Sequence, residues 1–455
     1  MTDAEAGRVG FLRRIALHRP EMRAWALYDW ANSAMYTVIV AAVFPVFFVK
    51  VVAAGLDADE ARRAYGGATT IALAIAAVGG PLLGAVADVA RLKKVLLGIS
   101  VAIGSLSAAG LFFLGEGDVT LGLWMFGLCN LGAVGSVVFY DALLPHVARE
   151  DEIDQLSTSA FALGYLGGGL CLVLCTLMIT LPGSFGLPSG EDLTASQASL
   201  PARLSFLIVG VWWAVFSIPV LTRVREPELA VEPDETAGRR PIRTAFQRLG
   251  ETFAELRGYR QAFLMMIAFL IYNDGVTTII RMAAVVGSER GIEANLMIVA
   301  IALVQFVGVP FTLLFGGLAG RIGPKRAILI GLGVYVGICV VAARMASPTE
   351  FLVLAVLVGM VQGGCQALSR SVFASLIPKH KSGEFFGLFS ALEKFAGVLG
   401  PLVFTLSPST EVGVYALIGF FLIGGLLFTR VDLAAGRKHA RAIEASLRSP
   451  TNGAG

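Results

Sequence analysis

Along the 455 residues of this chain, long apolar runs alternate with short polar interruptions. Apolar residues occupy every face of each run, and each run reaches about 20 residues, the length a helix needs to cross hydrocarbon. The pattern predicts twelve membrane-spanning helices, at 25–52, 66–87, 95–114, 119–144, 158–181, 203–221, 261–286, 293–319, 327–346, 351–376, 385–406 and 413–431. The polar stretch 223–260 separates six helices from six. Within it Phe246, Leu249, Phe253 and Leu256 recur at helical spacing among Arg243, Arg248 and Arg257, which predicts a short amphipathic helix lying on the membrane face. The expected organisation is therefore an N-terminal six-helix bundle (1–222), a cytoplasmic linker (223–260), and a C-terminal six-helix bundle with a cytoplasmic tail (261–455).

Composition agrees with this all-α integral-membrane class. Apolar residues make up 56% and charged residues 15%, whereas soluble domains carry about 25% charged residues. The net charge of +3, spread over short loops, is no footprint for nucleic acid. Residues 1–24 lack an apolar core of their own, so no signal peptide is read there. The cysteines Cys129, Cys171, Cys175, Cys339 and Cys365 sit inside apolar runs with no His or carboxylate to complete a metal site, so neither metal nor cofactor is expected. Of the 36 Lys and Arg, 27 fall in the tails and alternate loops of one side and 6 in loops of the other, which places both termini in the cytoplasm.

An internal repeat marks the two halves. Gly84-Ala-Val-Ala-Asp88 with Arg91, Lys93 and Lys94 joins helices 2 and 3, and Gly317-Leu-Ala-Gly-Arg321 with Lys325 and Arg326 joins helices 8 and 9. Two similar halves with a site at their interface are the signature of a secondary transporter.

Seven ionisable residues fall inside the helices: Asp29, Asp141, Asp274, Arg281, Arg370, Glu393 and Lys394. Unpaired in hydrocarbon they would together cost roughly 20 kcal/mol, so they must face one another or water. Polar stripes are richest in every third helix. Helix 1 carries Asp29, Asn32, Ser33 and Tyr36 on one face; helix 4 carries Asn130 and Asp141, with Tyr140 beside them; helix 7 carries Asn273, Asp274, Thr277, Thr278 and Arg281; helix 10 carries Gln362, Gln366 and Arg370. At a rise of about 1.5 Å per residue, Asp29, Asp141 and Arg370 fall within about 10 Å of the cytoplasmic helix ends, close enough in depth for Arg370 to bridge the two acids. Tyr36, Asn130, Asp274, Gln305, Gln362, Gln366 and Glu393 fall near the midplane, where a substrate would sit. Arg281 lies near the outer surface. A buried carboxylate tends to keep its proton, which makes Asp274 and Glu393 candidates for proton coupling. Structural ion pairing is the competing reading, above all for Asp141 with Arg370. Lys394 follows Glu393 directly, so the two are expected to point to different faces.

These motifs carry a resemblance. The Gly84–Lys94 loop resembles the 2–3 loop motif of the major facilitator superfamily, in which the Asp and basic residues clasp neighbouring helix ends; Arg321 departs from it in the second copy. Ala26-Leu-Tyr28-Asp29-Trp30-Ala-Asn32-Ser33 is similar to the opening signature of the vacuolar effluxer branch, known from autophagy, whose bacterial members are called unknown major facilitators. Phe139-Tyr140-Asp141, Gly164-Tyr165-Leu-Gly167-Gly168-Gly169, Tyr272-Asn273-Asp274-Gly275 and Gln362-Gly-Gly-Cys-Gln366-Ala-Leu-Ser369-Arg370-Ser371 match as well, although Asp141 stands where many bacterial members carry Asn. The resemblance implies twelve helices in two pseudo-symmetric bundles, alternating access and, for the vacuolar members, amino-acid export.

The expected function is secondary active transport of a small polar or zwitterionic solute, with protons as a coupling ion and membrane lipids as surroundings. The protein is expected to act as a monomer in a bacterial inner membrane. A lipid-like or amphiphilic substrate, or a ligand sensor without transport, is the alternative. An enzyme is disfavoured, since the four His lie in tails or loops and no nucleophile–base pair is visible. The topology is testable by fusion: green fluorescent protein at the C-terminus should fluoresce and alkaline phosphatase there should be inactive, whereas phosphatase inserted in the 182–201 loop should be active. The reverse pattern would overturn the assigned orientation.

Overall fold

The computed structural model describes residues 10–190, 192–227, 258–396 and 399–448, so the amphipathic helix expected at 246–256 lies outside the described residues. Helices α1 (Pro20–Val52), α2 (Ala58–Ala90), α3 (Lys93–Gly110), α4 (Val119–Val147), α5 (Ile153–Thr180) and α6 (Ala195–Arg223) form the first half. The second half holds α7 (Arg260–Glu289), α8 (Ala294–Ile322), α9 (Pro324–Ala343) and α10 (Pro348–Leu376). It continues with α11 (Ser382–Ala396), α12 (Leu399–Leu406), α13 (Thr410–Thr429) and the tail helix α14 (Leu433–Arg448). Among the described residues, 11 helices are long and apolar enough to cross a membrane. The remaining predicted segment, 385–406, is carried by α11 and α12.

Local sequence explains several ends. Pro at the first turn opens α1, α9 and α10, where its missing N–H costs nothing. Thr194 with Gln197, and Ser347 with Glu350, close capping boxes on α6 and α10. Around Pro45, which removes a helical donor, α1 loosens into π-helical stretches at Met35–Val43 and Phe48–Val52.

Packing shows the two-fold relation. The pairs α1·α5, α3·α4, α2·α4 and α3·α6 in the first half have counterparts, six spans on, in α7·α11, α9·α10, α8·α10 and α9·α13. The halves meet along two equivalent seams, α2 with α11 and α5 with α8, joined by contacts of α5 with α10 and α4 with α11. Small residues make these crossings possible, as expected where lipid removes the hydrophobic drive between helices. A Cβ on Gly84 would strike the Gly383 carbonyl, and one on Gly387 would lie 2.6 Å from the Gly80 carbonyl oxygen. On the other seam, Gly316 abuts the Thr158 hydroxyl and Gly308 abuts the Tyr165 ring.

Two expectations change at this level. His146, read as a loop residue, lies in the last turn of α4, because that helix runs through Pro145 to Val147. The second copy of the loop repeat keeps a clasp with different atoms: Lys325 donates to the carbonyls of Thr429 and Val431 at 2.8 and 2.7 Å, tying α9 to the end of α13, while Arg321 is exposed.

Since the α2·α11 seam has no room for a side chain at Gly84, Gly84→Val should cost about 1–3 kcal/mol by overpacking. The purified protein should then unfold at a lower temperature. Gly79→Val, whose Cβ meets open space, serves as the matched control, and an equal midpoint for the two variants would contradict the seam.

Candidate functional site

Arg370 lies buried at the interface between the halves, toward the end that carries both described termini. It is carried by α10, is 5% exposed, and finds its partners on α1, α4 and α5. Its Nη2 donates to Asp29 Oδ2 and its Nη1 to Asp141 Oδ1, both at 3.1 Å. Its Nε donates to Ser157 Oγ at 2.9 Å, and Nη2 also reaches the Ser157 carbonyl at 3.1 Å. Four bonds thus engage all three guanidinium nitrogens, the condition under which a buried cation is tolerable. Three rings surround the same group, with Phe161, Trp25 and Tyr140 centroids 4.4, 4.9 and 5.5 Å from its central carbon. The Trp25 indole is fixed by stacking on Tyr140 at 4.4 Å and by its N–H donating to the Tyr140 carbonyl. Sequence reading found both carboxylates and missed Trp25 and Phe161, which stand in apolar runs, and Ser157, which stands just before one. The run Ser157-Thr158-Ser159 was the available signal.

Further bonds between the halves continue along this level. Ser371 donates to Asp154 Oδ1 at 2.5 Å, and Ser157 Oγ donates to the Ala367 carbonyl at 2.7 Å. Asp88, on α2, accepts the N–H groups of Gly383 and Glu384 at 3.1 and 2.9 Å, capping α11 across the seam. Lys93 pairs with the same carboxylate at 2.7 Å, both side chains buried. Arg91, in the left-handed region at φ 56°, donates to the Pro227 carbonyl, and Glu226 accepts the N–H groups of Lys93 and Lys94. Next to this clasp, His146 lies within bonding distance of Lys93, the Lys379 carbonyl and Ser382. In the tail, Arg441 pairs with Glu150 at 3.2 Å. All of these contacts sit toward the end of the molecule that carries both described termini.

Midway along the bundle the arrangement is looser. Gln305 on α8 donates to Thr37 on α1 at 2.9 Å, joining the halves. Asn32 and Asn130 are buried, the latter bonded to the Phe126 carbonyl of its own helix. Tyr36, Gln362 and Gln366 are half-buried. Asn273, Asp274 and Thr278 are buried on α7; Asp274 Oδ2 accepts the Gly400 N–H at 2.7 Å while Oδ1 has no partner among the described residues. Glu393 and Lys394 were expected on different faces. Their long side chains instead curl together into a 3.4 Å ion pair, both partly exposed. Arg281 is exposed. The cluster thus gathers Asp29, Tyr140, Asp141 and Arg370, and it leaves Arg281 and Arg321 apart.

The geometry can be set beside known proteins. The family model described as "Vacuole effluxer Atg22 like" matches residues 67–441. An uncharacterized MFS-type transporter, YxiO of Bacillus subtilis, is 36% identical over 413 residues, covering 88% of this chain and 92% of that one. Autophagy-related protein 22 of Yarrowia lipolytica is 29% identical over 322 residues, 64% of this chain and 52% of that protein, so this chain matches about half of the vacuolar relative's length. Among solved structures, the MFS proton:xylose symporter XylE superposes with a TM-score of 0.68 at 14% identity, covering 93% of this chain and 98% of that one. That likeness shows the fold: twelve spans in two six-helix bundles. These relatives are transporters and not enzymes, and the chain belongs to the vacuole effluxer Atg22-like family of MFS-type integral membrane transporters.

Proposed function

We propose that this protein is a secondary active transporter of a bacterial inner membrane, moving a small polar or zwitterionic solute of the amino-acid kind by alternating access. The observation that carries this reading is the Arg370 cluster, whose acceptors all belong to the opposite half. Its burial is satisfied while the halves touch at the terminus side, and separating them there exposes or orphans every member. Breaking a buried ion pair costs about 3–5 kcal/mol, a population ratio of roughly 10²–10⁴. A substrate whose affinity differs between the two states by that much would reverse the balance. On the orientation expected from the Lys and Arg bias, with both termini cytoplasmic, the state in which this cluster is assembled would be the one sealed toward the cytoplasm.

The substrate would bind at mid-depth, among Tyr36, Gln362, Gln366, Asn273 and Asp274, with Glu393 and Lys394 at the edge. Acidic and basic groups near one another suit a zwitterion, an ammonium toward Asp274 or Glu393 and a carboxylate toward Lys394. The half-bonded Asp274 carboxylate and the partly exposed Glu393 are the groups proposed to carry a coupling proton.

Three outcomes test this. Arg370→Gln leaves Asp29 and Asp141 facing each other unpaired and should lower the unfolding midpoint more than Asp141→Asn does. The triple variant Asp29→Asn, Asp141→Asn, Arg370→Gln should recover much of the loss, and an undiminished midpoint for Arg370→Gln alone would remove the cluster as a latch. For the site, a thermal-shift screen of the purified protein against amino acids, peptides and sugars across pH should give a polar hit that Asp274→Asn weakens at least tenfold. In vesicles loaded for that solute, Asp274→Asn with Glu393→Gln should abolish the pH response of transport. Transport that stays fully pH-responsive would sink the coupling assignment.

A further inference from the structure

The chain just before α1 is held in an unusual shape. A short helical turn at residues 10–14 ends at Ala16, whose φ of 52° lies in the left-handed region, a conformation that non-glycine residues rarely adopt. The turn is fixed by Leu17 N–H donating to the Leu12 carbonyl at 2.8 Å and by Ser159 Oγ of α5 donating to the Ile15 carbonyl at 2.6 Å. Strained backbone of this kind persists where surrounding structure imposes it, and such sites are often functional. Here its effect is to hang Arg13 and Arg14 over the start of α5.

Between that turn and the α4–α5 loop lies a cavity of about 580 Å3, lined by Arg13, Arg14, His18, Arg149, Asp151 and Glu152 among others. Its charges are unbalanced. The Glu152 carboxylate is already committed, accepting from Arg19 at 2.6 Å and from the Arg149 backbone, with His18 at 3.4 Å. Among the described residues, no carboxylate lies within ion-pair distance of the guanidinium groups of Arg13, Arg14 or Arg149. Three forked cations therefore share one concavity with a single uncommitted acid, Asp151. Guanidinium groups converging on a cleft match the oxygens of a phosphate.

We propose that this cavity binds a phosphate group, supplied by the headgroup of an anionic phospholipid. Position favours the lipid source. The cavity is built from residues immediately before α1, immediately after α4 and at the start of α5, which places it at the headgroup level of the leaflet on the terminus side. Phe11, 57% exposed on the adjoining turn, offers an apolar anchor toward the acyl chains. The site also adjoins the seal between the halves. Glu150, Asp154 and Gln155 flank or line it, and these same residues meet Arg441, Ser371 and Gly316 of the second half. A bound headgroup would thus favour the state closed on that side.

Binding can be read without transport, so this inference stands or falls separately from the transport reading. The full-length protein in neutral detergent is titrated with phosphatidylglycerol, with phosphatidylcholine, and with soluble glycerol phosphate, following bound lipid by native mass spectrometry and the unfolding midpoint. Phosphatidylglycerol should bind and stabilise at least tenfold more effectively than phosphatidylcholine. The combined Arg13→Gln, Arg14→Gln, Arg149→Gln variant should lose that preference, and Arg→Lys at the same positions should restore part of it, which separates lost binding from lost folding. A Lys438→Gln variant, removing an exposed cation of the tail helix outside the cavity, should keep it. Equal protection by glycerol phosphate would retain the phosphate site and assign a soluble ligand in place of lipid. Unchanged phosphatidylglycerol preference in the triple Gln variant would overturn the proposal.

Discussion

A guanidinium group held in a membrane interior sets the terms for this structure. Arg370 cannot shed its charge, and hydrocarbon offers nothing to solvate it. Its own half contributes the helix that carries it, but the oxygens that satisfy it come from Asp29, Asp141 and Ser157 of the other half. Burial of the charge is therefore conditional on contact between the halves. An ion pair within one half would rigidify the bundle, whereas one between halves reports and stabilises a particular arrangement of them.

Other features near the same end work in the same sense. The Gly80/Gly387 and Gly84/Gly383 approaches let α2 and α11 cross backbone to backbone, which puts the Asp88 carboxylate where the open N–H groups of α11 begin. A larger residue at Gly84 would push α11 away and leave both the carboxylate and the helix end unsatisfied. The aromatic wall of Trp25, Tyr140 and Phe161 keeps water from the guanidinium, and that exclusion strengthens each polar contact inside it. Dense packing and the four bonds of Arg370 tie the helices of both halves together at this end.

The middle of the bundle has the opposite character. Asp274 uses one oxygen, Glu393 is met by its sequence neighbour, and Tyr36, Gln362 and Gln366 are only half-buried. Polar groups with spare bonding capacity next to a tightly bonded cluster suit the proposed carrier, since a solute must gain bonds there in one state and release them in the other. Membership of the Atg22-like family agrees with a carrier, and the fold shared with XylE supplies the two bundles.

Hydrophobic length and charge bias, properties that act residue by residue, were sufficient to set the spans, the two halves and the list of charges that had to be accommodated in the membrane. Depth along each helix follows from a constant rise, so Asp29, Asp141 and Arg370 were legible as one layer. Azimuth and side-chain reach were not. Whether Glu393 and Lys394 diverge or fold together is a matter of side-chain reach, while the choice of Lys325 over Arg321 for the second clasp, and the completion of the guanidinium's surroundings by Trp25, Ser157 and Phe161, depend on residues more than 100 positions apart in the chain. Insertion cost is additive along the sequence, whereas the compensation of a buried charge is a matter of three-dimensional geometry. The sequence therefore determined which groups needed partners, and the tertiary structure decided which partners they have.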